Sequence, residues 1–543
     1  MMAKGASINQ DGLSELMTVA GEDMVGQGEK LDQSDQAEAP AQFCNVLVFT
    51  GPAERTERVN VALRFVCSIY ILSFFDAPVN WSLALVIPAL PGEVSSAMAA
   101  TSFARLVLVL FLALFHGTMA SPTRRTVHSR NSDPDLHWVD TWTAMPQLTE
   151  FANLPNPPFN ETDLVFHNST IRQTLHMSIG ASKIRLRISN AFGLNDLPIT
   201  KVTVAQPQDG VAGSPAVQPH SIHTLTFSGN ESFVIPNGAL AVSDPLNFAI
   251  KPLQMISVTM YLAEGQASNF ITSHPGSRTT TWYSFGDYTT AANMTDPSTQ
   301  NAAHWFFLSA VEAFVPPQDS AFVIVGDSIT DGRGSDNNAN NRWPDLVLAK
   351  MQKNASTANI AVVNQAAGGN RILYDGLGPN ALGRIDRDVL AQSGVKYAMI
   401  FEGVNDIGTA DATVANQTFT GDRLIQAYKQ IVERVHTFGI PIFAATITPF
   451  NAPSTAIQPY SDPLREQTRQ RVNDFIRHSG TFDDVIDFDA IVRDPKNHTQ
   501  LNPLYNSGDY LHPNDAGYDA IAAAFPLDIF FEPPHIGRSG TKV

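Results

Sequence analysis

Two folds in succession are predicted by the sequence: an all-β sandwich over residues 138–316 and an α/β layer with a parallel sheet over residues 317–543. Period-two alternation marks the first. Ile184, Leu186 and Ile188 alternate with Lys183, Arg185 and Arg187, and Leu175, Met177 and Ile179 precede them at the same spacing. Ile256, Val258, Met260 and Leu262 repeat the pattern further on. Such spacing puts apolar side chains on one face of an extended chain, while intervening Gly, Pro and Asn supply turns. The second fold follows from continuous apolar runs at 322–325, 360–363, 398–401, 442–446 and 485–488, separated by helix-like stretches such as 342–353 and 421–438. Strands covered on both faces and joined through helices imply a parallel sheet. Between the two texts, FVPPQD at 314–319 makes a short proline-bearing joint.

Ahead of these folds the chain reads differently. Residues 1–97 are polar, low-complexity sequence with two apolar runs, 65–75 and 81–90, that Asp76 and Pro78 keep apart. Neither run reaches the roughly 20 apolar residues that a spanning helix needs. From Met98, Arg105 gives a positive flank, residues 106–115 an apolar stretch, and Thr118, Met119 and Ala120 a small-residue cleavage site. That pattern reads as a secretory signal over 98–120, followed by a linker over 121–137; the alternative, a type II membrane anchor, meets an apolar stretch that is short for spanning. Its position makes Met98 the expected start, with residues 1–97 an upstream extension that is non-native or disordered. Arg124 and Arg125 are either a dibasic trimming position or a chance pair. Sequons at Asn160, Asn168, Asn230, Asn293, Asn354, Asn416 and Asn497 all follow the signal, as expected of a glycosylated, extracellular protein. Cys44 and Cys67, the only cysteines, precede it, so the secreted chain would rely on its cores and not on disulfides.

Composition narrows the partners. An apolar share of 43% and a charged share of 16% describe a globular protein. A formal net charge of −17 with no long basic run argues against nucleic acid and against adhesion to anionic membranes. No stable membrane anchor is expected. Metal spacings, a dinucleotide fingerprint and a phosphate loop are absent, so neither metal nor cofactor is expected.

The chemistry-bearing residues lie in the second fold, where active sites sit beyond the carboxyl ends of parallel strands. AFVIVGDSITDG runs from an apolar strand into a turn carrying Ser328. A serine hydroxyl is a weak nucleophile; it needs a base, the base needs an orienting acceptor, and the oxyanion needs preorganised donors. GDYLHPND places Asp509 three residues before His512 on one loop, while two further strand ends carry Gly369 and Asn405. Singly, each admits a structural role: Ser328 as a helix cap, Gly369 as a positive-φ turn residue, Asn405 with Asp406 as an Asx-turn, His512 as a surface loop residue and Asp509 as a helix-leading acid. Their joint occurrence in this order, each after a strand or on the C-terminal loop, argues for a site.

These blocks resemble the SGNH hydrolases, also called GDSL-type esterases or lipases. GDSIT matches that family's nucleophile block, GGN its glycine block, GVND its asparagine block and DYLHP its Asp-x-x-His block. The segment from WVDTWTAMPQ to ISNAFG is similar to the β-domain of a secreted subgroup of arylesterase/acylhydrolases found alongside xylan-degrading enzymes. The resemblance implies a flavodoxin-like parallel sheet flanked by helices. It also implies ester hydrolysis through an acyl-enzyme, with Ser328 as nucleophile, His512 as base and Asp509 as its orienter. Ser328 and Gly369 backbone N–H groups and the Asn405 amide would form the oxyanion hole. The expected substrates are carboxylic esters with short acyl groups, including acetyl groups on plant polysaccharide. A lipase for longer chains, or a carbohydrate-binding protein with an inactive hydrolase domain, are the alternatives.

Overall fold

The computed structural model describes residues 135–531 and, upstream, the backbones of three strands, Asn45–Pro52, Tyr70–Asp76 and Asn80–Ile87. Those three form an antiparallel sheet in the order first, third, second. The signal-like segment 98–120, the Arg124–Arg125 pair and both cysteines lie outside the described residues. Among the described residues no helix is long and apolar enough to cross a membrane.

Residues 137–315 fold as antiparallel sheets. In the larger, the strands run in the order His223–Thr224, Lys201–Ala205, Met255–Leu262, Ser169–His176, Thr280–Phe285 and Gln300–Ala303. The second places Leu240–Val242, Ala181–Ser189, Leu308–Val315 and His137–Thr143 side by side, with Leu246–Ile250 also paired to Ala181–Ser189. The alternating residues are what join them. Ile184, Leu186 and Ile188 share one fully buried cluster with Ile171, Val202, Val258 and Met260. Tyr283 and Phe306 pack edge-on against Phe166 in that core.

One feature departs from the half-buried strands that alternation predicts. The outer face of Ser169–His176 and Met255–Leu262 is covered too, burying Arg172, Thr174, Ser257 and Thr259. Arg172 is the tie. Its guanidinium donates to Thr259 Oγ1 and to the carbonyls of Pro215, Tyr288 and Ala291, drawing two loops across the sheet. A buried guanidinium needs such a full set of acceptors, and desolvation lowers its pKa to about 10.

The second fold is a five-stranded parallel sheet of Ser320–Gly326, Ile360–Ala366, Val395–Phe401, Ile442–Ala445 and Asp484–Ile486. Its spatial order is second, first, third, fourth, fifth. This is the flavodoxin-like order, in which the chain reverses direction across the sheet between the first and third strands and leaves a crevice at their carboxyl ends. Helices include Trp343–Met351, Val414–His436, Pro463–His478 and Asp515–Ala524. Among the boundaries that differ from the sequence expectation, two are set by side-chain caps. The last strand ends at Ile486, because Asp487 accepts the N–H of Ala490 and starts the helix Phe488–Val492. The long helix begins at Val414 and not at 421, because Thr413 caps it through the N–H of Asn416. Gly421 is then interior, where its missing side chain leaves room for Arg471.

The two folds are packed as one body. Val139 lies in the same apolar cluster as Phe322 and Val347. Gly394, at φ +71°, brings its backbone so close that any Cβ would lie 2.5 Å from Val139 Cγ2. Ile360–Ala366 is an edge strand of the parallel sheet, whose outer carbonyls would otherwise be open to pairing. Here Ser178 Oγ donates to Val362 O at 2.7 Å and Thr143 Oγ1 to Asn364 O at 3.1 Å. Polar ties add to this: Asp140 accepts the Ser393 N–H at 2.8 Å, and Arg187 donates to Ser393 Oγ and Glu312. The joint at 316–319 is a short turn and not a tether.

Expression of residues 318–543 alone should therefore expose that edge and its apolar cover, giving protein of low solubility or lowered Tm. A fragment with the Tm and kinetics of the whole chain would show that the antiparallel segment is separable.

Candidate active site

Ser328 follows the first parallel strand at once. Gly326 ends that strand where a Cβ would lie 2.5 Å from Thr330 Oγ1, so only glycine allows so tight a turn. Asp327 then caps a single helical turn, Ser328–Asp331, by accepting the Ile329 N–H at 2.9 Å. Ser328 is thus not the cap. Its side chain is turned elsewhere, and its Oγ lies 2.8 Å from Nε2 of His512.

His512 and Asp509 arrive on the loop ahead of Asp515–Ala524. Tyr510, between them, takes φ +59°, an uncommon conformation for a bulky side chain, and this kink folds the loop back on itself. Asp509 uses both oxygens. Oδ1 accepts the N–H groups of Leu511 and His512, and Oδ2 sits 2.6 Å from His512 Nδ1. Burial pushes the Asp509 carboxyl up, but the His512 contact and these N–H groups outweigh it and hold the group well below the usual carboxylate range. An ionised carboxylate only accepts, so Nδ1 carries the proton and Nε2 offers its lone pair to the serine hydroxyl. Ser328 and His512 are each 6% exposed.

Gly369 and Asn405 follow the strands Ile360–Ala366 and Val395–Phe401, which flank Ser328's strand on its two sides. Gly369 does have positive φ, +70°, and Leu377 Cδ1 would lie 2.5 Å from a Cβ there. Asn405, 4% exposed, opens the helix Val404–Thr409 after the third strand. Its side chain makes no Asx-turn: Nδ2 donates to Asn370 O at 2.9 Å, and Oδ1 accepts from the Tyr460 hydroxyl at 3.1 Å. An amide carries two N–H bonds, so the second remains for a ligand. The structure joins Ser328, His512 and Asp509 by hydrogen bonds, and sets Gly369 and Asn405 on the loops that follow the two strands flanking Ser328's own.

Beneath them lies a layer that the sequence reading missed. Arg384, 2% exposed, donates to Asn370 Oδ1, to the carbonyl of Gln365 and to Asp388. It also lies 3.6 Å from Glu402. Asp406 accepts the N–H groups of Ile372 and Leu373 and so fixes the loop after Gly369. The antiparallel segment adds His274, whose Nε2 is 2.9 Å from Asp331 Oδ1. No spacing in the sequence connects these residues to the motif blocks. Among the described residues, no group of three or more His, Cys, Asp or Glu side chains is arranged to hold a metal ion. Asn168, Asn230, Asn293, Asn354, Asn416 and Asn497 are exposed, and Asn160 is half-buried with Oδ1 accepting from Asn269.

Several carboxyls in this layer are buried with too little opposite charge. Burial foremost, with Asp406 and Asp331 nearby, raises the Asp327 pKa to about 7. Burial raises Asp406 to about 6 against its two backbone hydrogen bonds, and raises Glu402 as well. A carboxyl whose folded pKa exceeds its unfolded value of about 3.9 contributes stability that is complete below that value and lost as pH climbs through the folded one. Tm should accordingly fall between about pH 4 and 7. Asp327→Asn keeps an oxygen for Ile329 and should flatten part of that slope; parallel profiles for variant and wild type would contradict the assignment.

Comparison with known proteins accords with this geometry. Residues 322–525 match the model of the GDSL-like Lipase/Acylhydrolase family. Similar solved structures include an acetylxylan esterase from Geobacillus stearothermophilus, 21% identical, covering 39% of this chain and 95% of that one with a TM-score of 0.30. A GDSL-like lipase from Bacteroides thetaiotaomicron is 18% identical, covering 39% of this chain and 88% of its own with a TM-score of 0.29. Comparison with curated proteins finds no match. Over residues 322–525 the chain is a GDSL-type (SGNH) acylhydrolase domain, the domain of a carboxylic ester hydrolase.

Proposed function

We propose that the protein is a secreted serine esterase that hydrolyses carboxylic esters of short acyl groups, acetyl groups on plant polysaccharide among them. The observation that carries this reading is the hydrogen-bond chain from Ser328 Oγ through both nitrogens of His512 to Asp509. In it, His512 Nε2 takes the serine proton as Oγ attacks the ester carbonyl. The imidazolium so formed is paired with an ionised Asp509, which also holds the tautomer. The oxyanion faces the Ser328 and Gly369 N–H groups and the free N–H of Asn405. His512 returns its proton to the leaving alcohol. Water, deprotonated by the same nitrogen, then releases the acid and restores Ser328. Short acyl groups suit a serine that is only 6% exposed, with Leu377 packed against the Gly369 corner. A purely carbohydrate-binding role would leave the intact chain of hydrogen bonds without a use. Secretion rests on the signal-like segment and the exposed sequons.

A series of p-nitrophenyl esters of increasing chain length, run beside acetylated xylan, tests the reading. Rates should peak between acetyl and butyryl, and Ser328→Ala should lower kcat by about 10⁴-fold or more. An optimum at about ten carbons would favour the lipase alternative, and an active Ser328→Ala protein would remove the mechanism. Asn405→Ala should lower kcat by about 10²–10³ with little change in KM, because the donor acts on the charged intermediate. Asn405→Asp should be worse at neutral pH. A fully active Asp variant would take Asn405 out of the oxyanion hole.

A further inference from the structure

The turn that presents Ser328 is only one helical turn long, so it cannot hold its own shape and must be held from outside. Three contacts come from its own fold. Asp327 caps it, Asn364 Nδ2 donates to Thr330 O at 2.9 Å, and Trp343 Nε1 donates to Thr330 Oγ1 at 3.3 Å. The far end of the turn, Asp331, is 2% exposed and is met by a residue of the other fold, His274, itself 3% exposed.

We infer that His274 is a positioning residue for the proposed nucleophile, holding the Ser328 turn in place through Asp331. The ring of His274 has one orientation open to it. It stacks on Trp305 at 5.8 Å and 26°, and its Nδ1 lies 3.1 Å from the Met145 carbonyl oxygen. A carbonyl only accepts, so Nδ1 carries a proton and Nε2 is left for Asp331. One further proton lies in that 2.9 Å contact, whether it is drawn on the imidazole or on the carboxyl. Asp331 depends on it, because its Oδ2 is buried and makes no hydrogen bond among the described residues. That oxygen fits against Gly276, where any Cβ would lie 1.6 Å away, so the strap 274–276 is shaped around the carboxyl. Without His274, both oxygens of a buried carboxyl would be unpaired, a state costly enough to move the group and the turn with it.

The inference rests on Ser328 being the nucleophile, and the experiment separates the two. His274→Gln places its amide N–H where Nε2 stood and can still donate to Asp331. His274→Asn is equally polar but reaches only the position of Nδ1, toward Met145. Both are compared with wild type and with Ser328→Ala for kcat, KM and Tm on p-nitrophenyl acetate. Displacing a reacting atom by about 1 Å costs roughly 10²-fold, so the Asn variant should lose about ten- to a hundredfold in kcat with KM within about twofold. The Gln variant should recover most of that loss. Asp331→Ala should resemble His274→Asn, and combining the two should add little further loss, as for residues acting through one contact. Equal kcat for the Gln and Asn variants, or a loss confined to KM, would overturn the inference while leaving Ser328 in its role. An active Ser328→Ala protein would instead overturn the reading beneath it.

Discussion

The free edge of the parallel sheet is the constraint on which the rest of the molecule depends. A parallel sheet has to be covered on its faces and protected at its edges, and helices supply only the first. Here Ser178 and Thr143 supply the second, giving their hydroxyls to the carbonyls of Val362 and Asn364. Asn364 then passes the constraint inward by donating from its side chain to Thr330, within the turn that bears Ser328. The antiparallel segment is therefore part of the scaffold that places the hydroxyl. Burial of Val139 beside Phe322 and the close approach at Gly394 pack part of the join as a shared apolar core.

A second constraint lies under the crevice. Asp327, Glu402 and Asp406 are buried together near Arg384, one guanidinium among several carboxyls. Burying charge in this way does little for stability, and the raised pKa values of Asp327 and Asp406 express that cost. The return is geometric. Arg384 locks Asn370 to the strand ends, Asp406 locks the loop after Gly369, and Asn405 is tied to Asn370. Oxyanion donors are effective when they need not move as charge develops, and in the proposed mechanism this layer would keep Gly369 and Asn405 still.

Much of this was legible in the sequence, for reasons that differ by element. Ile184, Leu186 and Ile188 announce a strand because burying one face imposes a period of two. The motif blocks around Ser328, Gly369 and Asn405 are readable because each sits next to its strand end, and that around His512 because Asp509 and His512 share one short loop, so local sequence carries the placement. Helix and strand ends were less so: Asp487 and Thr413 set their boundaries by side-chain capping, which the apolar pattern does not register. His274, Arg172 and Arg384 were invisible for a deeper reason. Each acts across a long stretch of chain, on partners such as Asp331, Pro215 and Asn370 that only the folded structure brings within reach. A lone histidine in ITSHPGS carries no local mark of the carboxyl that it meets.

The central claim is that Ser328 is an activated nucleophile poised against His512. A fluorophosphonate reacts covalently with such a hydroxyl and leaves an adduct of known mass, so peptide mass spectrometry of the treated protein tests the claim directly. The account predicts one adduct per chain, on Ser328, forming in step with loss of esterase activity and absent from His512→Ala protein. Complete inactivation with Ser328 unmodified, or equal labelling of the His512→Ala protein, would contradict it.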